Sequence, residues 1–264
     1  MERLSKAEMK TVLMDFSGIY EQENFYKGIN CEWIDLQDLS GCNCYCDDEA
    51  KERIEEKIKD FSENGIHFID SGNYHYMSRI WLGKIDQPFR LLVFDNHSDM
   101  QPPACGGLLS CGGWIAAAVE ELPYLEEVIL VGPDEEAYGQ VEEHIKKKTR
   151  FLSREILKKD KKSVLEFLEN ISADKPLFIS VDKDVLCTED ASTTWSQGDM
   201  KLEEMLDYLR IVRNRFESVN QVIIGVDICG ECDSDQMAGH VSESMKNNCA
   251  NEALLNLFWK VFEK

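Results

Sequence analysis

The sequence predicts an α/β fold: a three-layer α/β/α sandwich around one mostly parallel sheet. Three observations carry this. Apolar runs of strand length recur at residues 11–16, 32–36, 66–70, 89–94, 127–131, 149–153, 177–181 and 221–228. Charged stretches with apolar residues at helical spacing separate most of them. Acids and imidazoles follow the ends of the apolar runs, where ligands bind in open α/β sheets. No internal repeat or low-complexity linker interrupts the 264 residues, so the chain reads as a single domain spanning 1–264.

In chain order, residues 11–16 form a first strand that ends near Asp15, at the rim of the sheet, and turns at Gly18. Residues 32–36 form a second strand. Residues 47–63 carry Ala50, Ile54, Ile58 and Phe61 at helical spacing, and Gly65 closes that helix. The strand at 66–70 exits through Ser71-Gly72-Asn73-Tyr74-His75, and a helix follows at 77–82. The strand at 89–94 opens into a loop rich in Pro and Gly, then a short helix at 114–121. A polar helix is expected at 134–147, further helices at 161–169 and 201–216, and a loop at 231–239. The last helix, 242–262, has an apolar stripe through Leu254, Leu255, Phe258 and Val261.

Composition narrows the function. The formal net charge is −21, from 50 acids against 29 Lys and Arg. That argues against a nucleic-acid partner, because phosphate binding needs a basic patch. It suits solubility first and attraction of a small cationic substrate second. No stretch is long and apolar enough to span a bilayer, and the first residues carry no secretory pattern. The ten cysteines are therefore read as mostly reduced thiols of a cytoplasmic protein. Cys42, Cys44 and Cys46 do not have the spacing of a structural zinc knuckle.

The chemistry concentrates in two stretches. Leu91-Leu92-Val93-Phe94 leads into Asp95-Asn96-His97-Ser98-Asp99, and Phe178-Ile179-Ser180-Val181 leads into Asp182-Lys183-Asp184. Extended chain has a side-chain period of two, so Asp95, His97 and Asp99 face one way, as do Asp182 and Asp184. Lys183 is expected to point away, either toward solvent or into a supporting position behind the ligands. If the two strand ends are neighbours, four carboxylates and an imidazole converge, and such a cluster repels itself unless cations neutralise it. Oxygen ligands with a minority of imidazole suit Mn²⁺ better than a thiolate-type zinc site. His67, inside an apolar strand, reads as a satisfied core histidine. His144 and His240 have no convergent partners, and Asp227 reads as a strand-end acid.

These motifs resemble the ureohydrolase family of arginase, agmatinase and formimidoylglutamase, from about Ser71 to the C-terminus. That family carries Asp-x-His-x-Asp after one strand and Ser-x-Asp-x-Asp after another, here Asp95 to Asp99 and Ser180 to Asp184. Its upstream Gly-Gly-x-His corresponds to Gly72-Asn73-Tyr74-His75. The resemblance implies an arginase-like sandwich and two Mn²⁺ ions. His75, Asp95, Asp99 and Asp182 would hold one ion. Asp95, His97, Asp182 and Asp184 would hold the other, with Asp95 and Asp182 bridging. It also implies hydrolysis of a linear C–N bond in a guanidino or amidino compound, small or peptide-borne. Asp99 would take a proton, and Glu231 would hold the substrate's cation. Trp195, in the loop after the second motif, would cap the pocket. Trp114 reads either as a pocket wall or as helix-to-sheet packing.

The chain departs from the family pattern outside the metal motifs. Asp184 is followed by Val185 rather than Pro, and Ser110-Cys111-Gly112-Gly113-Trp114 lacks a substrate-side histidine. The late strand reads Asp227-Ile228-Cys229-Gly230-Glu231, one residue longer than Asp-x-x-Glu. These departures point away from free arginine. Two other readings stay open: a zinc-dependent deacetylase-like amide hydrolase, and a non-catalytic metal-binding protein. Self-association is also left open.

Overall fold

The computed structural model describes residues 10–102, 107–232 and 241–262. Ten strands form: β1 Lys10–Asp15, β2 Cys31–Asp35, β3 Tyr45–Cys46, β4 Gly65–Ser71, β5 Phe89–Phe94, β6 Leu109–Ser110, β7 Leu125–Val131, β8 Thr149–Leu152, β9 Leu177–Asp182 and β10 Ile223–Glu231. The helices are α1 Asp48–Ile58, α2 Met77–Leu82, α3 Trp114–Glu121, α4 Glu135–Gly139, α5 Glu143–Lys146, α6 Arg154–Lys159, α7 Lys161–Glu169, α8 Leu202–Ser218 and α9 Val241–Phe262. Eight strands make the main sheet in the order β2-β1-β4-β10-β9-β5-β7-β8, with every neighbouring pair parallel. The short β3 and β6 form a separate antiparallel ribbon.

The sheet is covered on both faces, as continuous apolar strands require. Alternate residues go to opposite layers. Leu92 and Phe94 join the layer with Leu168, Val212, Phe216, Leu254 and Phe258 from α7, α8 and α9. Leu91 and Val93 join the layer with Ile54, Trp81 and Ile115 from α1, α2 and α3. The charged helix α1 buries Ala50, Ile54 and Ile58, and its N-cap Asp47 accepts a bond from the Ala50 backbone N–H. Burying one such aliphatic side chain is worth about 1.5–3 kcal/mol.

Three element readings need correction. The polar helix expected at 134–147 is two short helices, α4 and α5, the first ending at Gly139 and burying no residue. The break falls at Glu142, whose backbone is extended, although Tyr138, Val141 and Ile145 pack against the sheet. Helix α6 was not expected. It also lacks a fully buried residue and is started by the Ser153 cap. Gly65 opens β4 instead of closing the helix, which ends at Ile58. His240 and most of the loop expected at 231–239 lie outside the described residues.

Strand order places the site. The consecutive strands β4 and β5 are separated by β10 and β9, which arrive later in the chain. Register sets Phe94 beside Val181 and Asp182 beside Cys229. The residues that follow β4, β5 and β9, and the end of β10, therefore meet at one rim of the sheet, at the crevice where the strand order changes direction.

Candidate metal centre

Six sequence-selected residues come together at this rim. His75 follows a short 3₁₀ turn after β4, and its Nδ1 lies 3.3 Å from Asp95 Oδ2, 3.0 Å from Asp99 Oδ2 and 3.3 Å from Asp182 Oδ2. His97 Nδ1 lies 2.7 Å from Asp184 Oδ2 and 3.6 Å from Asp95 Oδ1. His75, Asp95, Asp182 and Asp184 are buried, and Asp99 nearly so. Two overlapping ligand clusters, His75–Asp95–Asp99 and Asp95–His97–Asp184, share Asp95. Together they resemble a binuclear metal site.

The donor set fits divalent ions on an observation independent of motif. His75 Nδ1 and Asp95 Oδ2 are buried without a hydrogen-bond partner, and they face each other. Buried polar groups are normally satisfied, so an orphaned imidazole nitrogen opposite an orphaned carboxylate oxygen marks a place where a cation belongs. Neighbouring groups orient the ligands. Ser180 Oγ lies 2.9 Å from His75 Nε2, and Ser196 Oγ lies 2.9 Å from His97 Nε2. The Asp184 backbone N–H donates to Asp182 Oδ1 at 2.9 Å, and the His97 backbone N–H donates to Asp95 Oδ1 at 2.6 Å.

Without cations the cluster binds protons. Burial opposes the charge on His97, but Asp184 and Asp95 outweigh it and raise the imidazole to about 12. Burial and the adjacent Asp95 raise Asp99 to about 7. Burial, then Asp182 and Asp95, push Asp184 well above the usual carboxylate range. Burial also opposes ionisation of Asp95, but the imidazoles of His75 and His97 beside it win and pull its carboxyl down. Divalent ions compete for these same lone pairs, so their uptake releases protons.

The site opens into a cavity of about 260 Å³ whose walls include Tyr45, Gln101, Ser110, Cys111 and Trp195 beside the metal-site acids. Trp195, 41 % exposed, donates its indole N–H to Asn73 Oδ1 at 2.9 Å. Gly72 leaves room for it: a Cβ there would stand 2.8 Å from the Trp195 ring.

Three side chains, Lys183, Glu231 and Asp227, lie elsewhere than the sequence reading put them, and Trp114 takes the packing role of its two readings. Trp114 is buried and does not line the cavity. Its indole N–H donates to Asp99 Oδ2 at 2.7 Å, so it holds Asp99 instead of touching a substrate. Lys183 is fully buried rather than solvent-facing. Glu231 belongs to β10, not to a loop, and its carboxylate pairs with Lys183 and accepts from Asn247 and Asn251 at 2.7 and 2.8 Å. Those bonds leave it unavailable to a substrate cation in this arrangement. Asp227 stands in mid-strand and bonds His67 Nδ1 at 2.8 Å in the core. His67 is thus a core histidine, stacked on Trp81.

The cause of the Glu231 displacement is Gly230, whose φ of 92° breaks the strand alternation. Asp227 and Cys229 face the metal side, and the left-handed residue then turns Glu231 through to the other face. Cys229 is the residue that sequence reasoning missed: it groups with His75 and Asp182 at ligand spacing. Its place two residues after Asp227, on a strand beside β9, was the available signal.

Asp70, at the end of β4, accepts from the Phe16 and Ser17 backbone N–H groups at 2.8 Å each. Burial outweighs these bonds and raises its carboxyl from 3.8 to about 7. The folded chain therefore holds this proton more tightly than the unfolded chain does. The associated stability is full below about pH 4 and is lost as pH rises toward 7. In melts of chelator-treated protein, Asp70→Asn should flatten that decline by on the order of a few kcal/mol. Identical slopes for the two proteins would rule this out.

Fold and site define the class, a metal-dependent hydrolase with a binuclear centre on an α/β/α sandwich. A sequence model of the arginase family matches residues 7–232. The chain belongs to that family. It is 31% identical over 221 residues to an uncharacterised protein of Thermotoga maritima, covering 84% of this chain and 79% of the relative. Two solved structures superpose on nearly the whole chain. Proclavaminate amidino hydrolase from Streptomyces clavuligerus has TM-score 0.66 at 13% identity, covering 98% of this chain and 94% of its own. Arginase from Bacillus subtilis has TM-score 0.66 at 15% identity, covering 97% and 98%. At such identities these likenesses carry the fold alone. Among the described residues, no helix is long and apolar enough to cross a membrane.

Proposed function

We propose that this chain, acting as one domain, is a binuclear Mn²⁺-dependent hydrolase of a linear C–N bond in a guanidino or amidino compound other than free arginine. The observation that carries the reading is the convergence of His75, Asp95, His97, Asp99 and Asp184 on two overlapping ligand clusters, with Asp182 Oδ2 3.3 Å from His75 Nδ1. His75, Asp95, Asp99 and Asp182 would hold one ion, and Asp95, His97, Asp182 and Asp184 the other. When bound, two such ions lower the pKa of a water and polarise the carbon it attacks.

The chain's own residues supply the rest. Asp99, steadied by Trp114, stands at the cavity, where a carboxylate oxygen left free by the ion would take the proton as the C–N bond breaks. Trp195 and Tyr45 offer flat walls to a planar amidine. Among the described residues, the cavity's acids are the metal-site acids themselves, and Glu231 is engaged behind the sheet. That supports a substrate recognised through its reacting group and its fit rather than through a dedicated carboxylate.

The test is release of urea or ammonia from arginine, agmatine, guanidinobutyrate, guanidinopropionate, formimino compounds and arginine-containing peptides, with metal content measured alongside. Turnover of an amidino compound with two Mn²⁺ per chain is expected, with arginine a poor substrate. No turnover of any of them at saturating Mn²⁺ sinks the reading. Cys229 beside His75 and Asp182 favours one rival, an amide hydrolase with a softer ion, because thiolates select zinc. One tightly held Zn²⁺ per chain with deacetylation of amides would establish that alternative.

A further inference from the structure

Lys183 sits in sequence between two acids of the metal site, yet its amine is fully buried on the opposite side of the sheet. There it pairs with Glu231 and donates to Asn251 Oδ1 at 2.8 Å. Asn251 also donates to Glu231 and, at 2.8 Å, to Glu23 near the start of the chain. Asn247 completes the group. Its amide donates to Glu231 at 2.7 Å, and it exchanges two bonds with the Ser192 backbone, at 2.8 and 2.7 Å. Ser192 opens the loop that carries Trp195 over the cavity and Ser196 against His97. Thr194 in the same loop reaches the Glu231 carbonyl at 3.4 Å.

A buried ion pair is a poor way to gain stability, because desolvation takes back most of the attraction. Here both charges are hydrogen-bonded to the Asn247 and Asn251 amides as well as paired, and the group joins three things: the turn bearing Asp182 and Asp184, helix α9, and the loop over the cavity. We propose that Lys183, Glu231, Asn247 and Asn251 form a positioning latch. From behind the sheet it holds the Asp182–Asp184 turn in ligand geometry and ties the order of the 192–198 loop to ion binding. The inference rests on the binuclear reading above. Lys183 and Glu231 act through Asp182 and Asp184, and Asn247 acts through Ser192.

The test is a set of variants read by ion binding and backbone exchange. Lys183→Met leaves the Glu231 charge unpaired. It should weaken Mn²⁺ binding by at least about tenfold in calorimetry, and it should change the visible spectrum of the Co²⁺-loaded protein. The double variant Lys183→Met/Glu231→Gln, with no unpaired charge, should recover the affinity to within about threefold. A Lys183→Met protein that melts lower but keeps wild-type Mn²⁺ affinity and Co²⁺ spectrum overturns the latch, as does a double variant no better than the single. If Lys183→Met does not fold, Asn247→Ala decides. Amide exchange across 192–198, read without metal, should rise by about tenfold. Unchanged exchange there overturns the proposal. A wild type that takes up no Mn²⁺ would instead remove the functional reading, and the exchange measurement would still judge the latch.

Discussion

Asp182→Asn is expected to abolish binding of at least one ion and nearly all turnover. Asp182 ends β9 between β10 and β5, buried and 3.3 Å from the orphaned His75 nitrogen. Its other oxygen accepts from the Asp184 backbone, so it sets the turn that presents the next acid. Removing a partner that merely orients a ligand costs about 10–100-fold in metal affinity. Losing a charged ligand should exceed that. The same substitution should shrink the metal-dependent part of stability. The apo cluster holds mutually repelling acids, and ions that bind only the folded chain raise its stability through linkage, by about 2.7 kcal/mol at a hundred times Kd. Wild type should therefore melt higher with Mn²⁺ than with chelator, and Asp182→Asn should narrow the gap. Calorimetric titration and paired melts measure both. A variant that binds two ions with unchanged affinity, or a wild type whose melting ignores Mn²⁺, would remove the dinuclear reading.

Gly230→Ala should be strongly damaging for a change of one methyl group. The backbone there has φ 92°, which an L side chain rarely adopts. A Cβ would also stand 2.3 Å from Asp182 Oδ1 and 2.8 Å from the Lys183 backbone nitrogen. Neither neighbour can retreat easily, since one is a buried acid of the metal site and the other is main chain. Strain and collision together should cost at least about 2 kcal/mol of stability. Metal content should fall as well, because the collision falls on Asp182. Melting temperature and bound Mn²⁺ per chain are the readouts. An alanine variant with wild-type melting and two bound ions would mean that the left-handed turn at the end of β10 is not the conformation in solution.

The metal centre was legible because its physics is local. An apolar run reads as a buried strand, the strand fixes the direction of alternate side chains, and acids at its end are intolerable without cations. Their convergence does not come from strand alternation, however: Asp95, His97 and Asp99 follow the end of β5 in a bent segment where Asp99 takes φ 48°, and Asp184 sits in a 3₁₀ turn after β9. Parallel pairing of β5 with β9 then brings the two sets together.

The fate of Lys183 and Glu231 was not legible. Each depends on the other across a sequence separation of 48 residues, and on Asn247 and Asn251 in the last helix. Alternation put Lys183 on the correct face of the strand. What waits on that face is decided by α9, and a lysine read alone belongs in water. Alternation also kept Glu231 on the metal side, and one left-handed glycine reversed it. By itself, then, the sequence determined the sandwich, the strand-end acids and the demand for cations. Each follows from neighbouring residues: apolar runs of strand length and the acids that come directly after them. Only the tertiary structure decided that Trp114 holds Asp99, that Lys183 is buried and that Glu231 turns away from the cavity. Those outcomes rest on the partner across a layer and on one backbone angle, neither of which a local pattern contains.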